Sequence, residues 1–240
     1  MPSLPSVIFE DDCLIAFDKP SGLLVAPDPR ARANVCLMAM VQDKFGPGVA
    51  NVHRIDAEAS GLVLCTKTKT ALDFVSGQFQ SKTVENCYEA IVVGSPPLDT
   101  YEVDLVLKED EAAPERMCVV KKHGKAALTK FEVRTRYGRF THLECRPSTA
   151  RKHQIRVHLA ASGTPILNDP LYGEGTQLLL SEFKRGYKGR DEERPLIGRL
   201  ALHAGRLTFL HPVSRERKTL IAPLPKDLAV ALKYLGKYSQ

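Results

Sequence analysis

Asn51–Thr68 reads NVHRIDAEASGLVLCTKT, and its pattern sets the architecture expected of the rest of the chain. An apolar lead-in at 49–52 precedes His53, Arg54 and Asp56. The chain then loosens over Ala57–Gly61 and resumes as Leu62-Val63-Leu64-Cys65. Apolar β-formers on both sides of a short polar break predict strand, functional turn, strand. A carboxylate beside an arginine, at a strand end and ahead of a Ser-Gly turn, is placed where a fold can hold a reactive acid. The same Arg-x-Asp pattern is also met by a solvated ion pair or a cap.

On the N-terminal side, Val7–Glu10 and Leu14–Asp18 read as two strands, followed by the turn Lys19-Pro20-Ser21-Gly22 and the apolar run Leu23–Val25. Pro27–Ala33 is a basic loop. A helical stripe at 37, 38, 41 and 45 ends at Gly46-Pro47-Gly48. On the C-terminal side, Lys69–Lys82 repeats apolar residues at 71, 72, 75 and 79, the spacing of an amphipathic helix. Strands are expected over Cys87–Val93, Tyr101–Leu107, Ala126–Arg136, Phe140–Arg146, Leu200–Leu210 and Thr219–Ala222. Lys108–Glu115 reads as an acidic loop. A helix capped by Ser148 or Thr149 is expected from Ala150 to about Ser162, with short helices over Gln177–Lys184 and Leu228–Leu235. Without repeats, low-complexity tracts or linkers, residues 1–240 read as a single α+β domain, a mixed, mostly antiparallel β-sheet with flanking helices.

Composition narrows the function classes. At 43 % apolar, 240 residues can bury a real core. No run of about 18 apolar residues offers a membrane span, and MPSLPSVIFEDD lacks the features of a secretory signal. Six cysteines without a C-x-x-C pair suit buried thiols in a reducing cytosol better than a disulfide framework or a zinc site. The formal charge of +6 makes a polyanionic partner plausible.

Three more patches bear chemistry. Tyr88 heads YEAIVVG, where a tyrosine is usually core with its hydroxyl at the rim. Ser148–Leu159, STARKHQIRVHL, reads on a helix as either a basic solvated face or a nucleic-acid face, with Lys152, His153 and Arg156 as neighbours. His153 and His158, five apart, do not share a helical face, which argues against a metal pair. Arg199–Pro212 reads as a strand whose His203, Arg206 and His211 line a groove.

Taken in order, DKPSGLLV at 18–25, HRIDAEASGLVLCTKT at 53–68, YEAIVVG at 88–94, RKHQIRVHLAASGTPILNDPLYG at 151–173 and LHAGRLTFLHP at 202–212 make a set. In these motifs, and from about Val7 to Leu228, the chain resembles the RluA family of RNA pseudouridine synthases, in the compact type without an N-terminal ribosomal-protein-like RNA-binding domain. The resemblance implies a catalytic domain with a central active-site cleft that isomerises uridine in ribosomal or transfer RNA. The base leaves its glycosidic nitrogen, turns over and rejoins ribose through carbon-5. Asp56 then matches the catalytic aspartate, Arg156 the arginine that pairs with it, and Tyr88 the active-site tyrosine packed against the target base. Attack on the base, attack on the sugar carbon and removal of the ribose 2′ proton all remain open routes for the carboxylate. Reaching the uridine requires extrusion of the nucleotide, and Arg54 matches the residue expected to enter the vacated stack. His53, Arg151, Lys152 and His153 are the remaining candidate RNA contacts. No metal and no organic cofactor is expected, because no redox change or net group transfer occurs. The expected protein is cytoplasmic, monomeric and bound to no membrane.

Ile55 stands where the family usually has Leu, Ala59 where it has Thr, and Ala150 and Asn168 where it has Gly. These departures bear on turn geometry and substrate choice, not on the acid. Arg30–Arg32 and Lys184–Arg194 are candidate loops for RNA selection. Two other readings stay beside the leading one. The first is a catalytically silent RNA-binding or RNA-folding protein on the same scaffold. The second is a metal-independent RNA phosphodiesterase using His53, His153 or His203 as acid and base.

Overall fold

The computed structural model describes residues 3–27, 35–184, 186–187 and 192–239. The basic loop at Arg30–Arg32 lies outside these residues, as does much of the Lys184–Arg194 loop. The chain divides into two compact units, Met1–Cys87 with His203–Pro223, and Tyr88–Leu202 with Leu224–Gln240. The secondary structure is α+β, as expected.

In the first unit, β1 (Val7–Glu10) and β2 (Leu14–Lys19) form an antiparallel pair, and β2 pairs antiparallel with β4 (Ser60–Thr66). The two-residue β3 (Ala50–Asn51) also lies antiparallel to β4. β10 (Leu202–Leu210) runs parallel to β4 through His203 and Ala204, and β11 (Arg217–Ile221) adds an antiparallel edge to β10. Every residue of β4 is buried. That explains the unbroken apolar run, because a strand covered on both faces need not alternate. Leu14, Ala16, Leu62 and Leu64 share a core with Ala71 and Val75 of α2 (Lys69–Gln80) and with Leu207 and Phe209 of β10. α1 (Leu37–Phe45) brings Met38, whose sulfur meets the Cys65 thiol, and Phe45, whose ring lies 6.3 Å from that of Phe17. Each fully buried Leu or Phe here contributes roughly 1.5–3 kcal/mol. Both helices begin on a side-chain cap: Cys36 Sγ accepts from Ala39 N, and Thr68 Oγ1 accepts from Ala71 N.

The second unit is an antiparallel sheet in the order β5 (Glu85–Val93), β9 (Phe140–Pro147), β8 (Lys125–Tyr137), β6 (Thr100–Glu109) and β7 (Met117–Val120). One face carries Leu107 and Ala127, which pack on Val157 of α3 (Gln154–Ala161). α4 (Lys226–Tyr238) closes the chain, tied at its start by Arg199, whose Nε and a terminal nitrogen reach the Asp227 carboxylate at 2.7 and 2.8 Å.

Three sequence expectations are corrected. The helix expected from Ala150 begins only at Gln154, because His153 sits in the left-handed region at φ 53°. Lys152 and Arg156 are therefore not i, i+4 neighbours on a helix. The helix expected over Gln177–Lys184 is a single 3₁₀ turn, Leu180–Glu182. β7 was not foreseen: four residues, Met-Cys-Val-Val, lack the length that makes alternation legible.

Candidate active site

Asp56 lies in the loop from Val52 to Ala59 that joins β3 to β4, and the loop is braced from below by a lysine. Lys19 is fully buried. Its Nζ donates to the carbonyls of Pro20 (2.9 Å), Leu23 (2.7 Å), Ala57 (3.0 Å) and Ala59 (2.7 Å). Three N–H groups of one buried cation thus serve four carbonyls, at least one proton being shared, and loss of the amine would take this donor from all four at once. Two of these carbonyls lie one and three residues beyond Asp56, so the carboxylate rides on a fixed backbone. The tie is doubled by Gly22 N donating to Ala57 O at 2.7 Å and by Ser21 Oγ donating to Glu58 O. Ala59 N closes a turn onto Asp56 O at 3.2 Å. The DKPSG motif is thus the clamp of the aspartate loop.

Behind the loop, β4 and β10 approach so closely that a Cβ on Gly61 would lie 2.3 Å from the Ala204 carbonyl oxygen, and Gly61 holds φ +115°. No other residue fits there. Ser60 Oγ bonds His203 Nδ1 at 3.0 Å, and His203 Nε2 faces Ala222 O at 3.4 Å. His203 is completely buried, which corrects its expected place on a groove-lining face. His211, too, is used internally. Its Nδ1 accepts from Val213 N and Ser214 N, so Nε2 carries the proton and donates to Asp11 Oδ2 at 2.9 Å, 3.7 Å from Cys13 Sγ. Asp11, Cys13 and His211 bring together atoms that could ligate a metal. Burial first, and then Asp11, hold the Cys13 thiol protonated, up at about 11. A metal on Nε2 would leave a proton on Nδ1 facing two N–H donors, so this trio suits hydrogen bonding better than ligation.

His53 and Arg54 share the Asp56 loop. His53 stacks on Phe79 at 5.2 Å, and its Nε2 accepts from Leu64 N at 3.0 Å. Burial pushes its pKa down to about 4, so the ring is neutral and serves as an acceptor that anchors the loop to β4. Neither His53 nor His203 is disposed as an acid–base pair for strand scission. Arg54 is exposed, in keeping with a role outside the core.

In the second unit, Tyr88 occupies β5 opposite Cys145 of β9 and is 8 % exposed. α3 is buried from Gln154 to Leu159, so the helix itself presents neither the basic solvated face nor the nucleic-acid face that the sequence allowed. Its centre is Arg156, fully buried, whose Nε and a terminal nitrogen each reach the Asp169 carboxylate at 2.8 Å. The Asp169 carboxylate also accepts from Leu171 N at 2.9 Å and Tyr172 N at 3.2 Å. The Tyr172 ring lies 5.3 Å from the guanidinium carbons of both Arg116 and Arg156. Its hydroxyl accepts from Met117 N at 2.7 Å and meets His153 Nδ1 at 2.9 Å. Arg156 is thereby held in one rotamer by a bidentate partner and an aromatic face. Thr149 does not cap the helix directly: its Oγ1 donates to Gln154 Oε1 at 2.8 Å and accepts from Leu128 N at 3.0 Å. Arg151 Nε bonds Ala126 O at 3.2 Å and Lys152 Nζ bonds Pro114 O at 3.0 Å, both at the surface.

Asp56, Arg54 and His53 thus share one loop of the first unit, while Tyr88, Arg151, Lys152, His153 and Arg156 belong to the second. Lys19, Asp169, Tyr172 and Gln154 were missed as supporting residues. DKPSG and PILNDPLYG contain three of them, but a motif names no partner. Asn168, in place of the usual glycine, adopts φ 57° and donates from Nδ2 to Ile197 O at 2.6 Å. Asparagine meets the left-handed turn that glycine would otherwise supply.

The model of the RNA pseudouridylate synthase family matches residues 13–161. The chain is 34 % identical over 238 residues to the ribosomal large subunit pseudouridine synthase D of Neisseria meningitidis, covering 98 % of this chain but only 62 % of that protein. It is also 34 % identical over 222 residues to the dual-specificity RNA pseudouridine synthase RluA of Vibrio vulnificus, covering 90 % of this chain and 82 % of that one. In fold it is similar to the human RNA pseudouridylate synthase domain containing 4, with a TM-score of 0.71 at 22 % identity, over 96 % of this chain and 92 % of the other. With the ordered motifs placed as described, the chain belongs to the RNA pseudouridylate synthase family and is of its RluA type.

Proposed function

We propose that this protein converts uridine in ribosomal or transfer RNA to pseudouridine, with Asp56 as the catalytic carboxylate. The observation that carries this reading is the clamp on the Asp56 loop, where a fully buried Lys19 fixes the carbonyls of Ala57 and Ala59. Such bracing is costly and is spent where a side chain must be aimed. Glycosidic cleavage either builds positive charge at the sugar or needs a base, and an ionised carboxylate serves both. The relatives' names support the substrate class: one is named for the large ribosomal subunit and another as dual-specificity.

In this reading Arg156 keeps Asp56 ionised and aimed, and Tyr88 packs on the target base. Arg54 fills the stack that the extruded nucleotide leaves, while His53, Arg151, Lys152 and His153 help bind the RNA. The two compact units act as one catalytic domain, supported by β5 and β10, each of which begins in one unit and continues in the other. We further place the protein in the cytoplasm as a monomer that needs neither metal nor cofactor, since isomerisation transfers no electrons. Among the described residues no helix is long and apolar enough to cross a membrane.

The test is nucleoside analysis of unmodified ribosomal and transfer RNA after incubation with the protein. Pseudouridine should appear with wild type and be absent with Asp56→Asn, while RNA affinity stays within a few-fold. Equal turnover by the two proteins would reject the assignment.

A further inference from the structure

The acidic turn after β6 and the basic stretch after β7 carry opposite charge, and among the described residues no side chain of the second enters an ion pair. β7 and β8 both pair antiparallel with β6, on its two sides. The four residues Lys121–Gly124 therefore carry the chain across β6, from Val120 opposite Val106 to Lys125 opposite Leu107. The crossing is tight. A Cβ on Gly124 would lie 2.7 Å from Leu107 O, 2.8 Å from Val106 Cγ1 and 2.9 Å from Val120 Cγ2. His123 turns the chain at φ 62°. With the backbone pressed onto the strand, Lys121, Lys122, His123 and Lys125 are all exposed.

Neighbouring cations are spoken for. Lys108 pairs with Glu111, Lys130 with Glu102 at 2.8 Å, and Arg146 with Glu132 at 3.1 Å. Among the described residues, Lys121, Lys122 and Lys125 enter no ion pair. Arg151 joins them, since its Nε is tied to Ala126 O, next to Lys125. Lysines on mobile stems above a rigid backbone suit point contacts with phosphates, and lack the planar fork that reads base edges.

We propose that the Lys121–Lys125 crossover is an RNA-binding surface of this chain that holds the phosphate backbone of the substrate. It rests on the proposed function for the identity of the RNA and adds to it a second contact. Its contribution is independent of sequence and falls with salt, each phosphate contact adding close to one to the slope of log affinity against log salt.

The experiment compares wild type with the triple variant Lys121→Gln/Lys122→Gln/Lys125→Gln and with the matching triple Lys→Arg variant. Binding to unmodified ribosomal RNA made by transcription in vitro is titrated across potassium chloride concentrations, and turnover is measured on that RNA and on a short uridine-containing oligonucleotide. The expected result is a salt slope lower by about two to three and affinity weaker by about 10-fold or more for the Gln variant. KM on the long RNA should rise, kcat on the oligonucleotide should hold, and the Arg variant should behave as wild type. An unchanged slope and affinity in the Gln variant would overturn the proposal. So would binding of an acidic protein at the crossover with no protection of it by RNA. Failure of wild type to form pseudouridine in any RNA would instead count against the proposed function, with the binding titrations still reading the surface.

Discussion

Lys19 sits fully buried under the aspartate loop, and its amine replaces the water that four carbonyls would otherwise seek. Lys19→Met keeps the length of the side chain and removes the donors. Ala57 O keeps its bond from Gly22 N, and each carbonyl left without a donor costs about 1–3 kcal/mol, so the variant should lose about 3 kcal/mol or more of stability together with activity. Denaturant midpoints check this, and an unshifted midpoint would contradict the clamp. Asp169 poses the complementary case: Asp169→Asn takes the bidentate carboxylate away from the buried Arg156 guanidinium. A loss of about 3–5 kcal/mol is expected by the same measurement. The strand–turn–strand frame that carries Asp56 was legible in the sequence, because β-formers on both sides of a short polar break are a local pattern. The partnerships of Lys19 with 57 and 59, and of Arg156 with 169, join distant positions, which no local pattern displays.

At the scale of elements, β4 and α3 decide the geometry. Gly61 permits backbone approach between β4 and β10 that a methyl group would block against the Ala204 carbonyl. Gly61→Ala also forces φ +115° on an L residue. It should destabilise the protein by about 3 kcal/mol or abolish folding, measured by thermal unfolding, and wild-type stability would contradict the packing described. The long strands and both helices of the first unit were readable, because burial writes itself as period and the end of α1 as a glycine, whereas the caps Cys36 and Thr68 were not. The start of α3 was not readable: Ser148 and Thr149 satisfy cap statistics, while Thr149 is occupied with Gln154 and Leu128, and His153 takes a conformation that its residue type rarely adopts. His203 showed the same limit, since an alternating strand does not reveal which of its polar residues is turned inward.

For the whole molecule, pH dependence follows from two histidines held neutral. Burial pushes the pKa of both His53 and His158 down to about 4, with Asp104 opposing the shift at His158. Unfolded, each titrates near 6.5. Below that value the unfolded chain binds protons that the folded chain refuses, so stability should fall as pH drops from about 6.5 toward about 4 and stay level with respect to these groups above about 7. Urea unfolding across this range tests it; stability that rises on acidification through 6.5–4 would contradict the neutral, buried rings. The α+β class was legible from the alternation of strand and helix periods, whereas the division into two compact units was not, because β5 and β10 pass between them without a linker. The central claim is that Asp56 drives isomerisation of uridine, and the direct measurement is tritium release from RNA labelled at uracil carbon-5. That hydrogen must leave when the new carbon–carbon bond forms. Release with wild type and none with Asp56→Asn, at RNA affinities within a few-fold, is the expected result. Release by both proteins, or by neither on RNA that both bind, would contradict it.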